Sequence, residues 1–392
     1  MKRSIALGTV ALVLLLGLSV WLFYFEPKLS LLDPDRAAEN FRNMDAIFPT
    51  VAIPASTQPR PLPEGPSLSA AMLDEELPEF LARSQTTSLI VLHGGRLVHE
   101  SYYQGYSVDS QATSFSAAKA VLSALIGIAI AEGAIGSVDD PVVAYRPDLA
   151  DSGFADVTLN DLLRMTSGIA FDEDYSDPES DGIAIHYQLY ARFRSIERLT
   201  ATYPAAQPPG TSFDYASINT QALAMVLEAA TGASLPDYLY EKLWNPLGMA
   251  AGATWITDVY GNAVGFWGLS ARPRDLAKFG QLYLQQGAWD DEQLIPPEWI
   301  ARSTEAEEPF LQRGIIRNNW GYQHKWWLPR DGDQDYAALG LWGQIIYINP
   351  HFELVVVKTS ADPNFRAHEF EAVERFRQIG ATLSCPTALT EC

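Results

Sequence analysis

Cysteine is nearly absent from this chain of 392 residues, and its two copies, Cys385 and Cys392, both lie at the C-terminal end. Two thiols with no histidine near them in sequence do not make a zinc site. In an oxidising compartment they could close a small loop in the tail, and the sequence leaves the bonded and the reduced form open. No cysteine lies directly after the apolar N-terminal run, which excludes a lipoprotein.

Basic residues are also scarce relative to acidic ones. The chain has 27 Lys and Arg against 48 Asp and Glu, which gives a formal net charge of −21. A surface of this sign repels phosphate backbones. Nucleic acid is therefore excluded as an expected partner.

The signature motifs of several enzyme classes are missing. No Gly-x-Ser-x-Gly nucleophile elbow, phosphate-binding loop or dinucleotide-binding glycine pattern occurs. The six histidines lack metal-binding spacing, and the acidic run from Asp172 to Asp177 lacks the glycine and terminal glutamate of a calcium loop. We expect neither a metal nor another cofactor.

The N-terminus, in contrast, has a clear pattern. Lys2 and Arg3 precede the uncharged run 4–25, which is long enough to cross the ~30 Å hydrocarbon core of a bilayer as a helix. Basic residues before the run and acidic residues after it place the N-terminus in the cytoplasm. We expect residues 1–26 to form a single-pass signal anchor in a bacterial inner membrane, with the following domain in the periplasm. The small residues 17–19 leave an alternative open, in which a signal peptide is cleaved and the protein is secreted to the periplasm.

The rest of the chain divides into a proline-rich segment and one domain. Residues 27–66 predict a tether or strap, and residues 67–392 predict the domain. Gly94-Gly95 separates two β-rich runs, 88–93 and 96–102, as in a hairpin. Further strands are predicted at 335–339, 344–348 and 353–359, and helices lie between the two groups. The pattern predicts a mixed α/β (α+β) fold, with an antiparallel sheet built from both chain ends, flanking helices and an inserted helical subdomain at about 120–255.

The first pattern that carries chemistry is Ser116-x-x-Lys119, at the start of an apolar helix that should be buried. The backbone N–H of Ser116 would point away from the helix as a donor to an oxyanion. Lys119 lies one turn later on the same face. Burial and the field of the helix terminus should lower its pKa, and the neutral amine could then accept the serine proton. The spacing alone occurs by chance in many chains, but Lys119 is the only charge between Asp109 and Glu132.

The second pattern is a Pro-Gly turn that leads into Tyr215, followed by Ser217 and Asn219 at the start of a predicted helix. Beside a lysine ammonium the tyrosine phenolate would be favoured, and Tyr215 could pass a proton to a leaving group. Ser217 and Asn219 are candidates for hydrogen bonds to Lys119 and to a substrate.

In this order, the motifs resemble the penicillin-recognising serine hydrolases. Within that family the chain is similar to the class C β-lactamase-related branch, and in particular to the 6-aminohexanoate-dimer (nylon oligomer) hydrolases and related esterases. The resemblance covers about residues 40–383 and includes the ordered segments 158–168, 243–249, 269–277 and 340–344. It implies a β-lactamase/transpeptidase-like fold.

The resemblance also implies further site residues. The Lys/His-Thr/Ser-Gly motif of the family corresponds to residues 338–340, where Ala338 replaces the basic residue. This loss counts against efficient β-lactamase activity. Gly340 would let a substrate approach the strand, and the N–H of Leu341 would be the second oxyanion donor beside that of Ser116. Tyr175 and Trp327 are the substrate-binding candidates that the resemblance adds, with Trp326 beside the latter.

The sequence therefore predicts a serine hydrolase that cleaves small esters or amides through an acyl-enzyme on Ser116. Two alternatives stay open. One is a penicillin-binding D-alanyl-D-alanine peptidase or β-lactamase-type enzyme, and the other is a non-enzymatic binding protein of the same fold. The expected partners are a small-molecule ester or amide and the membrane, and the sequence makes no prediction of oligomeric state.

Overall fold

The computed structural model of the protein describes Thr9, Val13 and residues 17–68, 76–331 and 334–384. Most of the predicted anchor at 1–26 and both cysteines lie outside these residues. Within the described ranges, no helix is both long enough and apolar enough to cross a membrane.

Among the described residues, the strands form two main sheets and one short ribbon. All pairings within the sheets are antiparallel. The strands are β1 (Thr50–Ile53), β2 (Thr86–His93), β3 (Arg96–Tyr102), β4 (Ala112–Thr113), β5 (Ala253–Ile256), β6 (Leu269–Ala271), β7 (Ala288–Trp289), β8 (Glu292–Gln293), β9 (Trp320–Gln323), β10 (Trp326–Pro329), β11 (Tyr336–Gly340), β12 (Gln344–Asn349) and β13 (Leu354–Ser360).

The larger sheet has the order β3-β2-β13-β12-β11-β10-β9. Its first two strands come from early in the chain and the other five from the C-terminal third, so the predicted sheet built from both chain ends is confirmed. The β2–β3 hairpin turns at Gly94 and Gly95, both at positive φ (53° and 74°), as a tight two-residue turn of this type requires.

The helices carry clear start and stop signals. Thr158 and Asp161 form a capping box at the start of α6, and Gly232 ends α9 in the left-handed conformation. The helices are α1 (Glu26–Leu29), α2 (Ala37–Arg42), α3 (Met44–Ile47), α4 (Leu77–Arg83), α5 (Ala118–Ala131), α6 (Leu159–Arg164), α7 (Asp181–Tyr190), α8 (Ile196–Thr200), α9 (Ser217–Thr231), α10 (Leu235–Leu239), α11 (Pro273–Leu284), α12 (Pro297–Thr304) and α13 (Phe365–Ser384).

The central strands of the larger sheet are buried on both faces. Because side chains alternate along a strand, Ile346 of β12 packs in one hydrophobic cluster with Phe279 of α11. Ile345 points to the other face, into a second cluster with Phe80 of α4 and Phe376 of α13. The sheet therefore separates two apolar layers, and the helices α5–α10 extend the first of them.

The proline-rich segment contributes to the smaller sheet, whose order is β1-β5-β6-β4. In α2, Phe41 is 2% exposed and packs edge-on against Phe115 and Trp342, at ring-centroid distances of 4.9 and 5.5 Å. This segment thus packs against Phe115, the residue directly before Ser116.

Candidate active site

Ser116 lies in a single 3₁₀ turn, Phe115–Ala117, that leads directly into α5. The side-chain amine of Lys119 donates a hydrogen bond to Ser116 Oγ at 2.7 Å. A spacing of three residues at the start of a helix places both side chains on one face. The two residues of the first motif are therefore in direct contact.

The environment of Lys119 favours its neutral form. The side chain is 1% exposed, and burial lowers its pKa to about 8, while the nearby charge of Glu173 acts in the opposite direction. A lysine with this pKa is partly unprotonated near neutral pH, which a proton acceptor for Ser116 needs.

Tyr215 completes a cluster of three groups around the serine hydroxyl. Tyr215 and Ser116 line the same cavity, and Lys119 Nζ lies 5.0 Å from the Tyr215 ring centroid. Burial raises the pKa of Tyr215, and the charge of Glu173 adds to this. The expected phenolate is therefore not favoured, because desolvation outweighs the nearby amine and keeps the phenol protonated.

Glu173 is the central residue that the sequence patterns did not identify. Its carboxylate accepts hydrogen bonds from the Ser217 N–H at 2.7 Å and from Ser217 Oγ at 2.5 Å. It also accepts one from the hydroxyl of Tyr175. Glu173 lies in the acidic run from Asp172 to Asp177, two residues before Tyr175, and only Tyr175 was taken as a site candidate there.

Gly340 ends β11 where this strand meets the turn that contains Ser116. A β-carbon at Gly340 would lie 2.3 Å from Ser114 O and 3.3 Å from Ala117 N. A side chain at position 340 would therefore collide with the backbone of the turn, and this contact requires glycine. The sequence had suggested a different reason, namely the close approach of a substrate. The contact brings Leu341, the next residue, close to Ser116, and both residues line the two cavities described below.

Of the remaining predicted site residues, three lie close to the Ser116 site and Asn219 does not. Ser217 and Tyr175 line cavities beside Ser116, and Trp327 stacks on the Tyr215 ring at 5.7 Å. Asn219 lines neither cavity: it is fully buried and accepts a hydrogen bond from Ser167 Oγ at 2.6 Å. Residues two apart on a helix point in nearly opposite directions, so Ser217 and Asn219 do not share a face.

The two neighbouring tryptophans of β10 point to opposite faces of the sheet. Trp327 faces Tyr215, whereas Trp326 is fully buried on the opposite face of the sheet and stacks on Phe279. Side chains of consecutive strand residues point to opposite faces, so only one of the pair can reach the site.

Two cavities meet at Ser116. The apolar cavity, of about 270 Å³, runs from Ser116 to the N-terminal segment. The polar cavity, of about 490 Å³, opens on the other side. Residues found only in the apolar cavity include Phe25, Leu29, Leu32, Phe48, Phe171, Ile183, His186, Ser217, Phe266 and Trp267, and those found only in the polar cavity include Asp172, Asp214, Tyr215, Arg317, Trp327, Gly340, Arg366 and Glu369.

Comparison with known proteins agrees with this arrangement. A family model described as Beta-lactamase matches residues 73–377. The 6-aminohexanoate-dimer hydrolase of Paenarthrobacter ureafaciens is 27% identical over 336 residues, which cover 83% of this chain and 85% of that protein.

Two solved structures show the same fold. A Bacillus anthracis protein provisionally assigned as a 6-aminohexanoate-dimer hydrolase superposes with a TM-score of 0.82 at 24% identity, over 90% of this chain and 96% of that one. EstCE1, a hydrolase with promiscuous acyltransferase activity, superposes with a TM-score of 0.61 at 16% identity, over 80% of this chain and 100% of that one.

Proposed function

This chain belongs to the beta-lactamase family and is a hydrolase, and from that premise we propose that it cleaves ester or amide bonds through an acyl-enzyme on Ser116. The observation that carries the proposal is the hydrogen bond from Lys119 Nζ to Ser116 Oγ at 2.7 Å. A serine is a weak nucleophile unless a base is within hydrogen-bond reach. Here the buried amine occupies that position.

In the proposed mechanism, Lys119 removes the Ser116 proton and Oγ forms a bond to the substrate carbonyl carbon. The N–H groups of Ser116 and Leu341 bind the resulting oxyanion, and the loss of one such donor typically costs ~10²–10³ in rate. Tyr215, which is protonated, gives its proton to the leaving oxygen or nitrogen as the bond to the carbonyl carbon breaks. The proton on Lys119 then restores Tyr215.

Deacylation reverses these roles. A water molecule, deprotonated by the Lys119–Tyr215 pair, attacks the ester carbon and the bond to Ser116 Oγ breaks. The carboxylic acid leaves and the serine hydroxyl is restored.

The substrate class follows from the same family resemblance. We expect small esters and amides, including linear amides such as the one named for the Paenarthrobacter relative. The replacement of the family's basic residue by Ala338, which is 1% exposed on β11, disfavours penicillin-like carboxylates. Activity on cell-wall peptides is therefore the weaker alternative.

We also propose that residues 1–26 anchor the protein in the inner membrane with the domain in the periplasm. The support is the charge pattern around the apolar run. The test is carbonate extraction of membranes together with the intact mass of the purified protein. Retention in the pellet with residue 1 or 2 as the N-terminus is expected, and a mature protein that begins near residue 20 would show a cleaved signal peptide instead.

The test of the activity is intact-mass analysis of the protein after reaction with a fluorophosphonate and, separately, with penicillin. We expect one fluorophosphonate adduct that is absent from Ser116→Ala, with an unchanged melting temperature for that variant. A stable penicillin adduct would favour the cell-wall alternative. If neither reagent labels the folded protein, the catalytic proposal is wrong and a binding protein is favoured.

A further inference from the structure

The two cavities beside Ser116 differ in which proposed catalytic group they contain. Tyr215, the proposed proton donor to the leaving group, lines the polar cavity and not the apolar one. A leaving group has to lie within hydrogen-bond reach of its proton donor. The leaving group therefore lies in the polar cavity, and the acyl group of the substrate lies in the apolar cavity.

The apolar cavity is suited to hydrocarbon. Phe115, Phe171, Phe266 and Trp267 form its walls close to Ser116. Its one histidine, His186, packs against Trp267 with ring centroids 4.8 Å apart, and burial lowers the pKa of His186 to about 4. The ring is therefore uncharged at neutral pH. The charged side chains that line the cavity are Glu173 beside Ser116 and Lys28 in the N-terminal segment, and the rest of its lining is largely apolar.

The N-terminal segment closes the far end of the cavity. Leu31 and Leu32 line it from inside, while Leu29 lines it and is still 68% exposed. Across the opening, Tyr187 of α7 also lines the cavity and is 55% exposed. These two residues mark a mouth through which a long chain can extend to the surface.

We propose that the substrates carry a linear apolar acyl group of medium length, and that the segment 25–32 is part of the site that selects it. This inference rests on the proposed acyl-enzyme and adds the identity of the group attached to Ser116. The cavity holds the hydrocarbon tail while the carbonyl lies at Ser116, and hydrolysis releases the corresponding carboxylic acid.

The first test is the hydrolysis of p-nitrophenyl esters whose acyl group runs from acetyl through butanoyl and octanoyl to dodecanoyl. Each methylene that the cavity buries contributes about 0.8 kcal/mol, so kcat/KM should rise roughly fourfold per methylene until the cavity is full. From acetyl to octanoyl we expect a rise of at least about 100-fold. A maximum at acetyl or butanoyl, with Ser116 labelled by the fluorophosphonate, would overturn this inference and leave the proposed function intact.

Two variants of the cavity give a second test through the ratio of octanoyl to acetyl kcat/KM. Ala191→Trp should fill the cavity, and Leu29→Asp should place a charge at its mouth. Each should lower the ratio at least about tenfold, the value of one or two buried methylenes. Val108→Asp is the matched control, because Val108 is 38% exposed and lines neither cavity, and it should keep the wild-type ratio.

A binding measurement separates this inference from the proposed activity. Calorimetry with methyl octanoate should detect binding to Ser116→Ala and a loss of binding in the double variant Ser116→Ala/Ala191→Trp. Binding with no ester hydrolysis by the wild-type protein would reject the proposed function and retain the cavity. Absence of binding to Ser116→Ala would reject the acyl cavity.

Discussion

At the scale of single residues, Glu173 links the groups around Ser116. One carboxylate binds Ser217 and Tyr175, and its charge raises the pKa of both Lys119 and Tyr215. The charge of Glu173 thus partly offsets the lowering of the Lys119 pKa by burial. We infer that Glu173 is a positioning residue that also sets the pH at which Lys119 can accept a proton.

Replacement of this carboxylate tests that role. Glu173→Gln removes the charge that raises the pKa of Lys119, so that pKa falls and the acidic limb of the pH profile of kcat/KM moves to lower pH. Lost hydrogen bonds to a charged group, at about 1.5–3 kcal/mol each, should lower kcat/KM roughly 10- to 100-fold. The control is Asp177→Asn, an exposed carboxylate of the same loop that lines neither cavity. An acidic limb that stays in place or moves to higher pH contradicts the prediction.

Lys119 should cost the protein stability. Its pKa falls from 10.5 to about 8, and this difference of 2.5, at about 1.36 kcal/mol per pKa unit, corresponds to roughly 3 kcal/mol. The cost is fully present below pH 8, where both states bind the proton. It declines as the pH rises towards 10.5, because the unfolded state then binds more protons than the folded one.

We therefore expect Lys119→Met to be inactive but to have a free energy of unfolding about 2–3 kcal/mol higher at pH 7, with a smaller gain at pH 10. Urea denaturation at both pH values measures this. Lys242→Met is the control, since Lys242 forms ion pairs with Glu132 and Glu241 near the surface and should gain nothing. If Lys119→Met instead had a lower free energy of unfolding at pH 7, the contacts of the lysine in the folded protein would outweigh the cost of burying it.

At the scale of secondary-structure elements, the turn that contains Ser116 is held between a strand and a helix. Phe115, directly before Ser116, has a φ of 43°, which a residue with a bulky side chain seldom adopts. The ring of Phe115 is fixed between Phe41 and Trp267, and Gly340 of β11 touches the turn from the other side. Strained backbone of this kind persists only where the surrounding packing fixes it.

A methyl group at Gly340 should displace the turn. In Gly340→Ala the added carbon meets Ser114 O at 2.3 Å, so the turn has to shift. A misplacement of ~1 Å at a reacting group can cost about 10²-fold, and we expect that loss in the rate of fluorophosphonate labelling. Gly136→Ala is the control, since the atoms nearest to its methyl belong to the side-chain carboxylate of Asp140, which can move aside. Labelling of Gly340→Ala at the wild-type rate would mean that the turn tolerates the contact.

The elements themselves could largely be predicted, whereas the site could be predicted only in part. The hairpin at Gly94-Gly95, the cap at Thr158 and the end of α9 at Gly232 are local signals, and each appears in the structure. Ser116 and Lys119 also form a local pattern. In contrast, Glu173 contacts Ser217, 44 residues away, and no periodicity reports such a contact.

At the scale of the whole molecule, the proline-rich N-terminal segment is part of the structure around the site. Its composition indicates an extended chain, but it does not reveal that β1 pairs with β5 or that residues 25–32 line a cavity. These contacts depend on how distant parts of the chain meet. The segment therefore belongs with the catalytic domain in any physical account of the protein.

Phe41 tests this conclusion. Its side chain is 2% exposed between Phe115 and Trp342, and truncation of a buried phenylalanine typically costs 3–5 kcal/mol. We expect Phe41→Ala to lose about that much in the free energy of unfolding and to react more slowly with the fluorophosphonate. Phe23→Ala is the control, because Phe23 is 82% exposed. A loss below about 1 kcal/mol would show that the segment is not part of the cooperative core.

The order of strands in the larger sheet also affects when the chain can fold during its synthesis. β2 pairs with β13, and Ser88 bonds to Thr359, 271 residues later in the chain. During synthesis the β2–β3 hairpin emerges early. The free edge of β2 then has no partner until β13 has been translated, near the end of the chain. Contacts between such distant residues slow folding, and an open strand edge favours aggregation meanwhile. We therefore expect folding of this chain to be slow and to depend on chaperones that cover the unpaired edge of β2 until β13 is available.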